Sequence, residues 1–283
     1  MKKSAAKNRI VVILLIVVFL AGLSLLLYPV VSDYWNSLHQ SRAIASYMEA
    51  VTELDDTAYE RWWKEAKAYN ASLINKQNRF QPGEDEKEAY EKLLDISGRG
   101  IIGYVEVPSI NVTLPIYHGT DDEVLQVAIG HIEGSSLPTG GPSTHCVISG
   151  HRGLPSAKLF TDLDQLVEGD IFVLRVLDEV LTYEVDQIRI VEPDDISLLR
   201  IEEGRDLCTL VTCTPYGVNS HRLLVRGHRI ENQKISDMLR ITADAMLVDP
   251  RLAVPLIAAP ILLVLLLSVL LQAWRRKKTN SER

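Results

Sequence analysis

Two uncharged apolar runs frame this chain, and between them hydrophobic residues change period partway along. Ile10 to Val31 is 22 residues without a charge, and Leu252 to Trp274 is another 23. Each is long enough to cross a hydrocarbon core of about 30 Å at about 1.5 Å per residue. Lys2 and Lys3 ahead of the first run also suit a signal peptide. The run is longer than an h-region, however, and no clean small-x-small site follows it, so it reads as an uncleaved anchor. From Asp33 to about Gln77 the large apolar residues fall at helical spacing. Trp35, Leu38, Ala43, Tyr47 and Val51 form one series. Asp55-Asp-Thr57 then supplies a helix start before Tyr59, Trp62, Trp63, Ala66 and Tyr69. Trp62 and Trp63 could face a substrate or a membrane interface, but packing of a helix on a neighbouring domain is the favoured reading.

Gln81-Pro-Gly-Glu-Asp-Glu-Lys87 breaks this pattern and reads as a solvated charged linker. Beyond it, short β-branched runs dominate: Ile101 to Val107, Val112 to Tyr117, His145 to Ser149, Asp170 to Val176, Leu181 to Val191, Leu207 to Thr212 and Arg222 to Arg229. Helical pieces are expected near Glu123 to Ile129 and Ala157 to Leu166. Short strands at this spacing predict a mostly β fold, a closed or nearly closed barrel. The organisation that follows is a tail (1–9), a span (10–31), an outer helical region and linker (32–89), a β domain (90–230), a juxtamembrane segment (231–251), a second span (252–274) and a tail (275–283).

Charge orients this arrangement. The two tails hold 9 basic residues against one acid, Glu282, which leaves 21 basic and 36 acidic residues between them, a formal charge of −15. The positive-inside rule places both tails in the cytoplasm and residues 32–251 outside a cell membrane. An exterior this acidic excludes nucleic acid as a partner and argues against an electrostatic grip on anionic polymers. No Cys or His pair lies at metal-ligand spacing, so neither a metal nor a cofactor is expected.

Three cysteines fall in the outer domain: Cys146, Cys208 and Cys213. Their odd number leaves at least one thiol free. On one extended strand Cys208 and Cys213 would lie roughly 16 Å apart, whereas a disulfide tolerates at most about 7 Å. Cys146 and Cys208 can bridge only if their strands are adjacent, and two buried thiols are the simpler reading.

Thr209-Leu-Val-Thr-Cys213 ends an apparent strand, and Arg222 opens the next after a loop broken by Pro215, Gly217 and Asn219. If those strands pair, Cys213 and Arg222 become neighbours, and a cysteine beside a fixed positive charge is one whose thiolate is favoured. Ser149-Gly-His-Arg-Gly153, also at the end of an apolar run, offers His151 as a proton carrier.

With Gly103-Tyr-Val-Glu-Val-Pro108, Leu114-Pro-Ile-Tyr-His-Gly119, Gly130-His-Ile-Glu-Gly134 and Ser136-Leu-Pro138, these residues resemble the sortases, cysteine transpeptidases of Gram-positive cell surfaces. In detail the chain is similar to the pilus-polymerising class C branch, over roughly residues 90–230. The resemblance implies an eight-stranded β-barrel, with Cys213 as nucleophile, His151 as acid and Arg222 as a ligand of the oxyanion or substrate backbone, or as the cation that lowers the thiol pKa. His131 and Thr212 are implied as substrate-contacting positions. The implied substrates are pilins or surface proteins carrying a C-terminal Leu-Pro-x-Thr-Gly-like signal, and a peptidoglycan precursor is the acceptor if the chain is instead of the wall-anchoring kind. A barrel that binds sorting signals without turnover is the non-enzymatic alternative. Class C members usually carry an Asp-Pro-aromatic lid ahead of the barrel. Residues 78–97 hold Phe80-Gln-Pro82 and no such motif, so the usual lid is expected to be absent or replaced and the site open.

Overall fold

The computed structural model describes residues 2–232 and three isolated positions beyond them. The second apolar run and the tail after it therefore lie outside the described residues. The first run lies inside helix α1 (Lys2–Thr52), which is long and apolar enough to cross a membrane. Residues up to Tyr34 belong to a unit separate from the body that starts at Trp35.

In that body α2 (Asp56–Leu73) starts where the sequence indicates, because the Asp55 carboxylate accepts the Ala58 amide at 2.7 Å and satisfies one of the free first-turn donors. Trp62 and Trp63 pack against the main core as structural aromatics. The charged stretch after Pro82 is not a solvated linker. It begins α3 (Glu84–Glu91), where the Glu86 carboxylate accepts the Gly83 amide at 3.1 Å and Tyr90 is buried at the far end. The three acids of its first turn favour a helix N-terminus, which is why the same charges that suggested a linker stabilise a helix.

Eight strands follow: β1 (Ile101–Val107), β2 (Val112–His118), β3 (Ile129–His131), β4 (Thr144–Ser149), β5 (Ile171–Val176), β6 (Glu179–Val191), β7 (Asp206–Thr214) and β8 (His221–Ile230). They close into a barrel in the order β1-β2-β3-β4-β7-β8-β6-β5. Two of its pairings are parallel, β2 with β3 and β4 with β7. Seven strands match the sequence expectation to within a few residues. The eighth, β3, is three residues long and sits where helix was expected to run on to Ile129. The helix there, α4 (Asp122–Leu125), stops early. The second expected helix, Ala157 to Leu166, is reduced to one 3-10 turn at Leu163–Gln165, and Leu159, buried, takes a left-handed backbone (φ 39°) that a helix cannot hold.

Inward residues alternate with outward ones. Cys146, Ile148, Cys208, Leu210, Leu223 and Val225 join the barrel core, while Val147, Val211 and Leu224 form a second cluster on the outer face. The long β6–β8 pair carries a bulge at Asp186, between the register pairs Val185↔Gly227 and Gln187↔Arg226. The extra carboxylate accepts Arg226 at 2.9 and 3.1 Å and Arg205 at 2.8 Å. Burial would raise its pKa, but the two guanidiniums outweigh that and hold Asp186 below the usual carboxylate range.

The helices are fastened to the barrel through polar groups buried with partners. Tyr47 donates to the Ile102 carbonyl (3.2 Å) and accepts from the Leu177 amide (2.7 Å). Asn70 pairs with both backbone groups of Leu137, at 2.7 and 3.0 Å.

Two buried histidines give the fold an acid limit. His145 hydrogen-bonds the Arg200 carbonyl through Nδ1 (2.6 Å) and Thr209 Oγ1 through Nε2 (2.7 Å); the carbonyl can only accept, so Nδ1 carries the proton and Nε2 accepts from the hydroxyl. His118 donates through Nε2 to the Leu93 carbonyl at 2.6 Å. Burial pushes both imidazoles down to about 4 from an ordinary 6.5. The unfolded chain therefore takes up protons first, so the stability these residues contribute is complete above pH 6.5 and is lost as pH falls towards 4. The loss is on the order of 3 kcal/mol per histidine at most. Denaturant midpoints measured from pH 7.5 to pH 4 should fall across that window with an uptake of about two protons on unfolding. A flat profile would contradict this burial.

Candidate active site

The parallel β4–β7 pair and the antiparallel β7–β8 pair bring three of the expected residues to one rim of the barrel. Register runs from Thr144↔Asp206 to Ser149↔Val211, and two residues further the chains reach His151 and Cys213. The strands stay bonded to that point, since the Gly150 amide donates to the Val211 carbonyl at 3.0 Å and Thr212 Oγ1 donates to the Gly150 carbonyl at 2.7 Å. On the other side Cys213 is directly paired with Arg222. Directly paired antiparallel residues have Cα atoms about 4.5–5.5 Å apart and side chains on the same face.

Alternation decides that face. Val211 and Leu224 lie in the outer cluster, so Cys213 and Arg222, each two residues along, point outward as well. Cys213, His151 and Arg222 are all half-buried. The Arg222 guanidinium is held by the carbonyls of His221 (3.1 Å) and Asn219 (3.3 Å). His221, on the alternate face, lies 3.3 Å from Glu192.

The other two expected residues are placed differently. Thr212 is 1% exposed and spends its hydroxyl on Gly150, so it ties the two strands together behind the rim. His131 is fully buried: Tyr90 Oη lies 2.8 Å from its Nδ1, and the Ser136 carbonyl accepts from its Nε2 at 2.9 Å. Ser135 Oγ lies 3.0 Å from the same Nε2. The structure thus gathers Cys213, His151 and Arg222, and leaves His131 in the interior, where it joins α3 to β3 and β4.

Cys146 and Cys208 are in direct register on β4 and β7, both buried and both free thiols. Burial and its hydrogen-bonded partner Cys146 push the Cys208 thiol well above its usual range, as befits a thiol acting as a small core side chain. Among the described residues no His, Cys, Asp or Glu group gathers at metal-binding spacing.

Sequence reasoning noted Phe80 in the segment where a lid was sought but missed Arg79 beside it. Phe80 packs on the outer cluster of Val147, Leu199, Val211 and Leu224, the face that carries Cys213 two residues further on. Arg79 lies over the Phe80 ring at 4.3 Å and donates to the carbonyls of Gly134 (2.8 Å) and Leu199. Phe80, just ahead of the stretch read as a solvated linker, is pinned to an apolar surface. An arginine beside a phenylalanine ahead of a Gly/Pro break carries no periodic signal that would have shown it.

A profile of the Sortase domain matches residues 105–230. Sortase C1 from Streptococcus agalactiae superposes with a TM-score of 0.66 at 52% identity, covering 68% of this chain and 99% of that one. Sortase C from Streptococcus pneumoniae, whose structure bears on catalysis and pilin substrate specificity, gives a TM-score of 0.58 at 44% identity, over 67% of this chain and 97% of that one. Sortase D of Bacillus subtilis is 32% identical over 131 residues, 45% of this chain and 63% of that protein, so the chain spans somewhat less than two thirds of that relative. The chain belongs to the sortase family, a family of cysteine transpeptidases. Within it, the chain is of the class C kind.

Gly150 offers a direct test of how tightly this rim is built. A Cβ there would meet Ile129 Cγ2 at 2.7 Å and Phe160 Cδ2 at 2.8 Å, both in fully buried side chains. Its backbone is not left-handed, so the conflict is one of space alone. Gly150→Ala should lower unfolding stability by about 1–3 kcal/mol. It should also depress transpeptidation, because His151 is the next residue. Wild-type stability and rate in this variant would show that the rim has slack.

Proposed function

We propose that Cys213 attacks the Thr–Gly bond of a Leu-Pro-x-Thr-Gly-like sorting signal and that a lysine amine of a following pilin subunit resolves the product. The observation that carries this reading is the register, which lines up His151, Cys213 and Arg222 across three neighbouring strands on one rim. The Cys213 sulfur adds to the threonine carbonyl carbon, and the oxygen takes up negative charge. Arg222, with its planar fork of donors, serves that oxygen or the adjoining substrate backbone. The C–N bond to glycine then breaks, and His151 passes a proton to the leaving amine. The resulting thioester is attacked by the incoming lysine amine, a new amide bond forms, and the sulfur leaves as the thiol. No cofactor takes part.

The pilin substrate is inferred from the likeness to pilus sortases of streptococci. The apolar helix at Ile10–Val31 supports membrane anchoring, and the second apolar run with basic residues at both tails supports a two-pass topology with the barrel outside.

Cys213→Ala should abolish both peptide cleavage and polymer formation, whereas Cys146→Ala and Cys208→Ala should keep most activity, since neither thiol reaches the rim. His151→Ala should lose about a hundred-fold or more. Arg222→Lys should fall well short of wild type because a point charge cannot copy the fork. Incubating the protein with candidate pilins and following ladder formation checks all of these. Ladders from Cys213→Ala would sink the assignment.

A further inference from the structure

His151 lies beyond the last ladder pair of β4, and its ring has no hydrogen-bond partner among the described residues. A proton carrier normally owes its aim to a third group bonded to its far nitrogen. Here the aim must come from the flanking chain. The His151 carbonyl accepts the Phe160 amide at 3.1 Å, and the residue after it, Arg152, makes the remaining ties.

The Arg152 side chain is only 9% exposed and reaches three elements at once. Its Nη1 donates to Thr214 Oγ1 at 3.2 Å, on the residue that follows Cys213. Nη2 forms an ion pair with Asp164 in the 3-10 turn at Leu163–Gln165. Its guanidinium carbon lies 6.0 Å from the centroid of Tyr216, in the β7–β8 loop. Gly153 completes the joint. It adopts φ 77°, and a Cβ there would come within 2.8 Å of the Tyr216 ring. The loop bearing His151 and the strand end bearing Cys213 are thus joined through one guanidinium and one glycine–aromatic contact.

We propose that Arg152 is a positioning residue: its fork, shared between Asp164 and Thr214, holds His151 where it can hand a proton to the leaving amine. This rests on the reading of Cys213 and His151 given above. A guanidinium can bridge two acceptors in fixed geometry, and an ammonium cannot.

The test compares two substrates with the same acyl group, a Leu-Pro-x-Thr-Gly peptide and its thioester, whose thiolate leaving group needs no proton. In Arg152→Ala, kcat on the peptide should fall about a hundred-fold with KM within about three-fold, while the thioester rate falls less than about five-fold. Arg152→Lys should recover part of the peptide rate. Thr214→Val should lower the peptide rate selectively by about ten-fold, and combining it with Arg152→Ala should add little, as expected of two ends of one tie. Equal losses on both substrates, or none on either, would overturn the proposal. If Arg152→Ala does not fold, as judged by thermal unfolding, the same selectivity or its absence in Arg152→Lys and Thr214→Val decides. Failure of the underlying reading looks different: wild-type protein would then form no acyl adduct on Cys213 with the thioester.

Discussion

The parallel pairing of β4 with β7 is the constraint on which this molecule turns. Parallel strands run out of the sheet at the same end, so whatever follows each of them meets at a common rim. On β4 that is His151, and on β7 it is Cys213, with Arg222 added by the antiparallel return of β8. No loop has to fold over to deliver these groups. Thr212 and Gly150 carry the two strands side by side to the last residue before the rim. Beneath the rim, on the outer face, Val147, Val211 and Leu224 are covered by Phe80 and Leu199, so the strand ends rest on packed side chains.

The helical region ahead of the barrel is part of the same body. Tyr47, Asn70 and Tyr90 each insert a polar side chain into the barrel's backbone or interior. Tyr90 ends on His131 of β3, which pairs with β4, where Cys146 lies in register with Cys208 on β7. A chain of buried contacts therefore runs from α3 to the two strands that carry His151 and Cys213. Removal of one member of such a chain leaves another buried polar group without a partner, which costs more than the lost bond itself.

The barrel was legible in the sequence because short β-branched runs such as Ile101 to Val107, almost wholly buried, end at clear breakers. The meeting of Cys213, His151 and Arg222 was legible because they stand at the ends of those runs. Features that depend on tertiary contact were not. Strand β3 is three residues long and has no period to detect. Leu159 is buried on a left-handed backbone that its side-chain type does not announce. Glu84, Asp85 and Glu86 read as a solvated run until their place in a first helical turn is known. His131 sits in a motif beside the expected site, and only packing shows that it faces inward. Arg152 was visible as a letter beside His151, but its partners Asp164, Thr214 and Tyr216 lie 12 to 64 positions away in the chain.

The connection between the two parallel strands has a temporal meaning. Register partners on β4 and β7 are 62 positions apart, and β5 and β6 are made in between. Contacts of such sequence separation form late, after the entropy of a long loop has been surrendered. A chain emerging from its N-terminus presents β4 and His151 first, with neither Cys213 nor the charge of Arg222 yet beside them. His151, Cys213 and Arg222 meet only when β7 docks and β8 closes the barrel. A growing or half-folded chain thus lacks the assembled rim, and the chemistry proposed for it waits until the barrel is shut.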